Sequence, residues 1–198
     1  MSENNIFSKI RKFAANNSEK DDIHGFGHVK RVYTMSIKIG KELNANLNIL
    51  KIAALLHDIG RIDEKSDPLK RNHAEISAEK ALNYLQSQQF NLSWEEISQI
   101  IHCIKAHSFS NNINPQSIEA KILSDADKLD AIGAIGIFRT IGFTLENNGG
   151  INQIIEHLET KILKLKKQLF LSYSKEIAEK RHNLVLDFYN EMKSEKNL

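Results

Sequence analysis

The sequence predicts an all-α fold. Apolar residues recur at helical spacing through nearly every segment. No stretch alternates apolar and polar residues as a half-buried strand would, and the breakers are few: two prolines and nine glycines in 198 residues. A chain of this length makes one domain, or one with a short appendage, and buries a core without staples. Its 26 % charged and 41 % apolar residues are ordinary for a globular protein. A net charge of +2 predicts neither strong affinity for nucleic acid nor strong repulsion from it, so nucleic acid is not the expected partner. The lone Cys103 excludes an intrachain disulfide and a thiolate-rich zinc site, and it reads as a small buried residue. Met1–Asn5 shows no basic stretch leading into an apolar core, and no apolar run reaches membrane-spanning length. The expectation is a cytoplasmic protein with no membrane partner.

The elements follow in order. Ile6, Ile10 and Phe13 make a short amphipathic start. Val29 to Leu43 carries Val32, Met35 and Ile39 on one stripe. Leu47 to His57 repeats the pattern through Leu47, Leu50, Ala54 and His57, and Gly60 suits a helix C-terminus. Arg61 to Asn72 reads as a polar loop holding Pro68, followed by a helix from about His73 to Gln88. Ser93 and Glu96 form a capping-box pair that opens a helix running to about His107. After a loop at Asn111–Pro115, Ser117 to Leu145 reads as one long, mostly apolar helical region that bends near its glycines. Asn147-Asn148-Gly149-Gly150 is the clearest break, and two helices follow, about Ile151–Phe170 and Ser174–Lys193. The expected organisation is a single domain over residues 1–198 with its core at about 24–143. The helices at about 151–195 pack on that core or form an interface, a homodimer being one outcome.

Imidazoles and carboxylates on greasy segments are costly to bury alone, and they become tolerable when they share a cation. His28 shares a stripe with Val32, Met35 and Ile39, and His57 lies on the Leu47-Leu50-Ala54 stripe, so both point toward a core. One such histidine is usually a satisfied core residue. Two of them, one followed at once by Asp58, point to a metal. Downstream, Asp127 and Asp130 are three apart on one helical side, while Asp125 projects nearly opposite and reads as a helix-terminal or surface acid. The next segment, Ala131 to Phe138, is apolar all round, which marks a central helix.

The order of these pieces, His28-Val29-Lys30-Arg31-Val32, then Leu55-Leu56-His57-Asp58-Ile59-Gly60, then Asp125-Ala126-Asp127-Lys128-Leu129-Asp130-Ala131, resembles the HD superfamily of metal-dependent phosphohydrolases. The continuation Ile132-Gly133-Ala134-Ile135-Gly136 is similar to a subgroup of small bacterial and archaeal members, some of which act on nucleotides. The resemblance covers roughly His24 to Phe143. It implies a helical HD bundle with the metal site between central helices, and metal ligands at His28, His57, Asp58 and Asp127. The facing argument alone leaves Asp127 and Asp130 open. The family's pattern, an aspartate before a Lys-Leu step, selects Asp127, with Asp130 orienting a ligand or holding Lys128. Two imidazoles and two carboxylates suit a divalent Mn, Fe, Co, Ni, Zn or Mg ion, whose identity the residues do not specify. The implied reaction is attack of metal-bound hydroxide on a phosphate ester or anhydride of a small phosphorylated substrate, a nucleotide being favoured.

The resemblance also implies roles for neighbouring groups. Asp58, Lys128 and Arg31 make up the expected catalytic set. Some HD subgroups recruit further histidines for a second metal. His73 and His107 fill that place here, or contact phosphate, while His102 is expected to be exposed. Arg61 and Arg139 are further phosphate candidates, although a plain surface charge is the stronger reading for Arg61. His24, four before His28, reads as a supporting partner or a substrate acid, and Asp63 and Glu64 as general bases. The lysines at 161, 164, 166 and 167 read as a solvated face, and His157 and His182 as structural or exposed. Two other functions compete: a di-iron oxygenase on the same fold, and a nucleotide-binding regulatory module without catalysis.

Overall fold

Helices supply the regular structure of the described residues, 3–88 and 90–196 of the computed structural model, and no strand occurs among them. The chain divides into two compact units, Met1–Ala126 and Asp127–Leu198.

The first unit contains α1 (Glu3–Asn16), α2 (Phe26–Glu42), α3 (Leu47–Leu56), the single turn α4 (Arg61–Glu64), α5 (His73–Ser87), α6 (Trp94–His107), a 3-10 turn at Phe109–Asn111, and all but the end of α7 (Ile118–Asp130). Its centre is α3, which packs against α1, α2, α5 and α6. Ile49, Leu50, Ile52, Ala53, Ala54, Leu55 and Leu56 are all buried, so this helix is apolar on every side. Each large side chain among them stabilises the unit by about 1.5–3 kcal/mol through burial. The helix starts sharply because Asn44 adopts φ +52° and the Asn46 side chain then accepts hydrogen bonds from the Asn48 and Ile49 amides. Asn72 caps α5 in the same way, through the Ala74 amide. Ser93 and Glu96 form the expected capping box on α6.

The second unit holds the end of α7, then α8 (Ala134–Glu146), α9 (Ile151–Thr160), a 3-10 run at Ile162–Gln168, and α10 (Ser172–Lys196). Within it α8, α9 and α10 pack against one another.

Four expectations are corrected. The segment Arg61–Asn72 is not wholly loop, since Arg61–Glu64 forms a helical turn after Gly60. The long helix expected over Ser117–Leu145 is two helices, broken where Gly133 takes φ +98°, a conformation that side chains with a Cβ rarely adopt. The expected Ile151–Phe170 helix tightens into 3-10 geometry after Thr160. Finally, the apolar segment after Asp130 is not central. Helix α8 buries Gly136, Thr140 and Thr144 and leaves Ile135, Phe138, Phe143 and Leu145 exposed. Among the described residues no helix is long and apolar enough to cross a membrane.

Candidate metal centre

The first unit brings four histidines onto one carboxylate. His28 comes from the first turns of α2, His57 and Asp58 from the turn that leaves α3, His73 from the first position of α5, and His107 from the last position of α6. All five are buried, Asp58 to 2 % exposure and His28 and His57 completely. His28 Nε2 lies 3.6 Å and His57 Nε2 3.8 Å from Asp58 Oδ2. On the other oxygen, His73 Nε2 and His107 Nε2 each lie 3.5 Å from Oδ1. The result is two three-residue groups, His28/His57/Asp58 and Asp58/His73/His107, that share the aspartate.

The histidines are oriented as well as gathered. His57 Nδ1 is 2.8 Å from the Ala54 carbonyl and His107 Nδ1 is 2.6 Å from the Ile104 carbonyl. A carbonyl only accepts, so in the neutral ring Nδ1 carries the proton and Nε2 presents its lone pair. Both carbonyls lie three residues back along a helical backbone, which His57 continues as the C-cap of α3, so helical geometry itself sets the ring. His73 is set by Glu64. Oε1 of Glu64 accepts from the His73 backbone amide at 2.9 Å and faces Nδ1 at 3.2 Å. Nε2 of His28 lies 3.3 Å from Nε2 of His57. Convergent lone pairs beside a carboxylate repel one another unless a cation lies among them. With bonds of about 2.1 Å, ligand atoms around one divalent ion sit about 3.0–3.4 Å apart. The separations of 3.3, 3.6 and 3.8 Å in the first group are close to that spacing. The donor set therefore fits a divalent transition metal.

Arg61 is a correction. It is no free surface charge: its Nε donates to Asp58 Oδ2 at 2.8 Å and its Nη2 to Oδ1 at 3.2 Å. The same Nη2 lies 3.1 Å from His73 Nε2, to which a guanidinium can only donate. Burial by itself would push the Asp58 carboxyl up. The Arg61 guanidinium, with His57, His107 and His73, more than offsets that and holds it well below the usual carboxylate range. The spacing of Asp58 and Arg61, i to i+3 across a helical turn, was the signal that could have found the pair.

Gly60 fixes where this turn meets α5. Its amide donates to Ser77 Oγ at 2.9 Å. A Cβ at Gly60 would stand 2.5 Å from the Ser77 nitrogen and 2.8 Å from the His73 oxygen, so any side chain would collide with α5 backbone.

The other sequence candidates are distributed as follows. Glu64 serves His73 rather than standing free as a base, and Asp63 pairs with Lys80 at 2.7 Å. His24 and Arg31 are half-buried at the start of the first unit. His102 is also half-buried rather than exposed, and its Nε2 accepts from the Gln116 amide at 3.0 Å. Asp125 is fully buried, not a surface acid. Asp127 is half-buried on the last turn of α7 and belongs to the second unit, as do Lys128 and Asp130. There Asp130 accepts from Arg139 at 2.9 Å, so Asp130 holds this arginine. Lys128 is buried with Nζ 5.2 Å from the centre of the Phe170 ring.

Residues 25–132 match the HD domain family. The chain belongs to that family. The HD match covers every histidine and carboxylate of the cluster. YpgQ of Bacillus subtilis is 34 % identical over 181 residues, which are 87 % of this chain and 84 % of YpgQ. The crystal structure of YpgQ in complex with ADP is similar at a TM-score of 0.75, with 30 % identity over 96 % of this chain and 97 % of that one. An HD-superfamily hydrolase from Bacillus thuringiensis is similar at a TM-score of 0.73, with 29 % identity and 98 % of each chain covered. Ribonuclease Y of Treponema denticola shares 36 % identity over 104 residues, 52 % of this chain but 18 % of the ribonuclease.

Proposed function

We propose that this HD protein is a metal-dependent phosphohydrolase that cleaves a phosphate ester or anhydride of a nucleotide. The observation that carries the reading is the shared carboxylate of Asp58, with two histidine Nε2 atoms near each of its oxygens. His28, His57 and Asp58, joined by Asp127 on the strength of the sequence resemblance, hold one divalent ion. Asp58, His73 and His107 hold a second or contact a phosphate. A divalent ion so held makes water a stronger acid and neutralises charge on a phosphoryl oxygen.

The chain's own residues supply the rest. The Ala54 and Ile104 carbonyls and the Glu64 carboxylate keep three imidazoles aimed with Nε2 inward. Lys128 and Arg31 offer cationic donors for phosphate oxygens. His24 supports His28, and Asp130 keeps Arg139 in place. That YpgQ has been crystallised with ADP supports a nucleotide as the substrate class. Two adjacent three-ligand groups also suit a di-iron oxygenase, which is the second reading.

The test is metal analysis of the purified protein, coupled to phosphate and pyrophosphate release from a nucleotide panel with Mn, Co, Ni, Mg and Fe. Release that needs metal and is abolished by Asp58→Ala or Asp127→Ala in folded protein establishes the hydrolase. Two irons per chain with no release from any nucleotide moves the assignment to the oxygenase. Nucleotide binding by the wild type with no turnover under any of these metals makes the protein a regulatory binder.

A further inference from the structure

The last turn of α7 is held by side chains from elsewhere in the chain. Like the end of any α-helix, it leaves carbonyls with no amide four residues on. The chain leaves the turn through tighter bonds. The Ala131 amide donates to the Lys128 carbonyl at 3.1 Å and the Ile132 amide to the Leu129 carbonyl at 3.3 Å, before the reversal at Gly133. Such ends fray unless something else fixes them. Here three successive residues are each gripped. Lys128 holds its ammonium 5.2 Å from the centre of the Phe170 ring. The Leu129 carbonyl accepts from Arg181 Nη1 at 2.6 Å. Asp130 accepts from Arg139 at 2.9 Å. The HD match ends at residue 132, so Arg139, Phe170 and Arg181 all lie beyond it. All six residues belong to the second unit.

Arg181 is the grip that reaches backbone. It is half-buried on α10, 52 residues along the chain from Leu129. Its stem packs on the reversal: a Cβ at Gly133 would stand 3.2 Å from both Cβ and Cγ of Arg181. One side chain thus fixes the last turn of α7 with its head and the chain reversal with its stem. A cation at a helix C-terminus also complements the negative end of the helix dipole.

We propose, taking Asp127 as a ligand of the first ion, that Arg181 is a positioning residue for the metal. By seating the last turn of α7 it sets where the Asp127 carboxylate stands. Asp127 immediately precedes the three gripped residues near the end of α7. A ligand oxygen has to be placed to within about 0.5 Å, and a fraying turn does not hold it so. Arg181 grips backbone, so its effect on Asp127 runs through the turn. The last helix of the chain, outside the HD match, thereby takes part in metal binding.

The sign of the effect separates positioning from charge. Arg181 is itself a cation, so its loss relieves like-charge repulsion. By Coulomb's law alone, that strengthens manganese binding or leaves it unchanged. Loss of seating weakens it.

The experiment is calorimetric manganese titration of the full chain in a double-mutant cycle of Arg181→Met with Asp127→Ala. Methionine keeps most of the stem on Gly133 and removes the donor. The expected result for Arg181→Met is a loss of about tenfold in affinity at the first site, with helical circular dichroism intact. Arg181→Lys should regain most of it, because the Leu129 carbonyl takes one nitrogen of the guanidinium and an ammonium can also donate. With Asp127→Ala already in place, Arg181→Met should change affinity by less than about twofold. Equal losses in both backgrounds overturn the proposal, since Arg181 then supports the fold in general. Unchanged or tighter binding by Arg181→Met overturns it as well and leaves the ligand role of Asp127 standing. If Asp127→Ala alone leaves the affinity untouched, Asp127 is no ligand, and that assignment and the proposal fall together. Should Asp127→Ala bind too weakly to titrate, Arg181→Lys decides: restored binding supports the proposal and unrestored binding overturns it. If Arg181→Met does not fold, Arg181→Gln enters the cycle in its place.

Discussion

Arg61 donates two hydrogen bonds to the Asp58 carboxylate and reaches His73 with the same guanidinium. A donor-only cation thus engages both an oxygen and a nitrogen of the Asp58/His73/His107 group. A second cation placed there competes with Arg61 for those atoms. Arg61→Ala should therefore tighten manganese binding, by about 3–10-fold in calorimetric titration, if the competition costs about 1 kcal/mol. The same substitution leaves Asp58 buried with less compensation, and in chelator it should lower stability by about 1–3 kcal/mol, less than a fully buried pair because Arg61 is partly solvated. Saturating manganese should shrink that deficit. Weaker manganese binding in the variant would mean that Arg61 helps to hold the ion.

Glu64 fixes His73 at two points, the backbone amide and Nδ1. Glu64→Ala should leave Nε2 of His73 poorly aimed. Supporting partners of this kind typically change metal affinity or activity about 10–100-fold. The expected loss falls on manganese at the Asp58/His73/His107 group, with the His28/His57 site unchanged in the same titration. An equal loss at both sites would show that Glu64 acts on the whole fold of the turn.

Acid should destabilise the metal-free protein through His73. Burial, aided by Arg61 and His107, holds its imidazole below the ordinary value, and Asp58 and Glu64 only partly oppose this. The folded form therefore binds the proton less readily than the unfolded chain. Its contribution is fully present above the unfolded value, about pH 6.5, and is lost as pH falls below it toward the folded value. Urea midpoints in chelator should fall between about pH 7 and pH 5, with a shallower fall for His73→Gln. Equal slopes would assign the acid sensitivity elsewhere, His157 and His182 being lowered by burial as well.

Cys103 lies in the core on α6, and burial, with Glu119 adding to it, pushes its thiol up to about 12. A thiol so placed is neither ionised nor reachable at about pH 8. Ellman's reagent should fail to titrate it in native protein and should count one thiol per chain after unfolding. Rapid native reaction would mean that α6 opens on the timescale of the assay.

The sequence made the helices of the first unit legible because their stripes face one core. Leu50, Ala54 and His57 point where periodicity puts them, and His28, His73 and His107 are buried. The capping residues Ser93 and Glu96 needed only local spacing. Contacts made by turning the chain were harder to read. Arg61 resembles a surface charge until the turn after Asp58 folds it back, and Asp125 resembles a helix-end acid until α7 is seen to bury it. The break at Gly133 was hidden because apolar residues continue on both sides of it. Helix α8 misled for the same reason: hydrophobicity on every side does not say which side faces inward.

The excursion between Glu64 and His73 is stapled at both ends, by Glu64 on His73 and by Gly60 on Ser77. Between the staples Arg71 binds Asp67 within the segment and Glu79 on α5, at the segment's α5 end. A segment anchored in this way is a cassette. It can be lengthened, shortened or exchanged with the histidines staying in register, since their positions are indexed by α5 and not by the length of the connecting chain. Its sequence is therefore freer to drift than that of Gly60, which has no room to change and keeps the gauge.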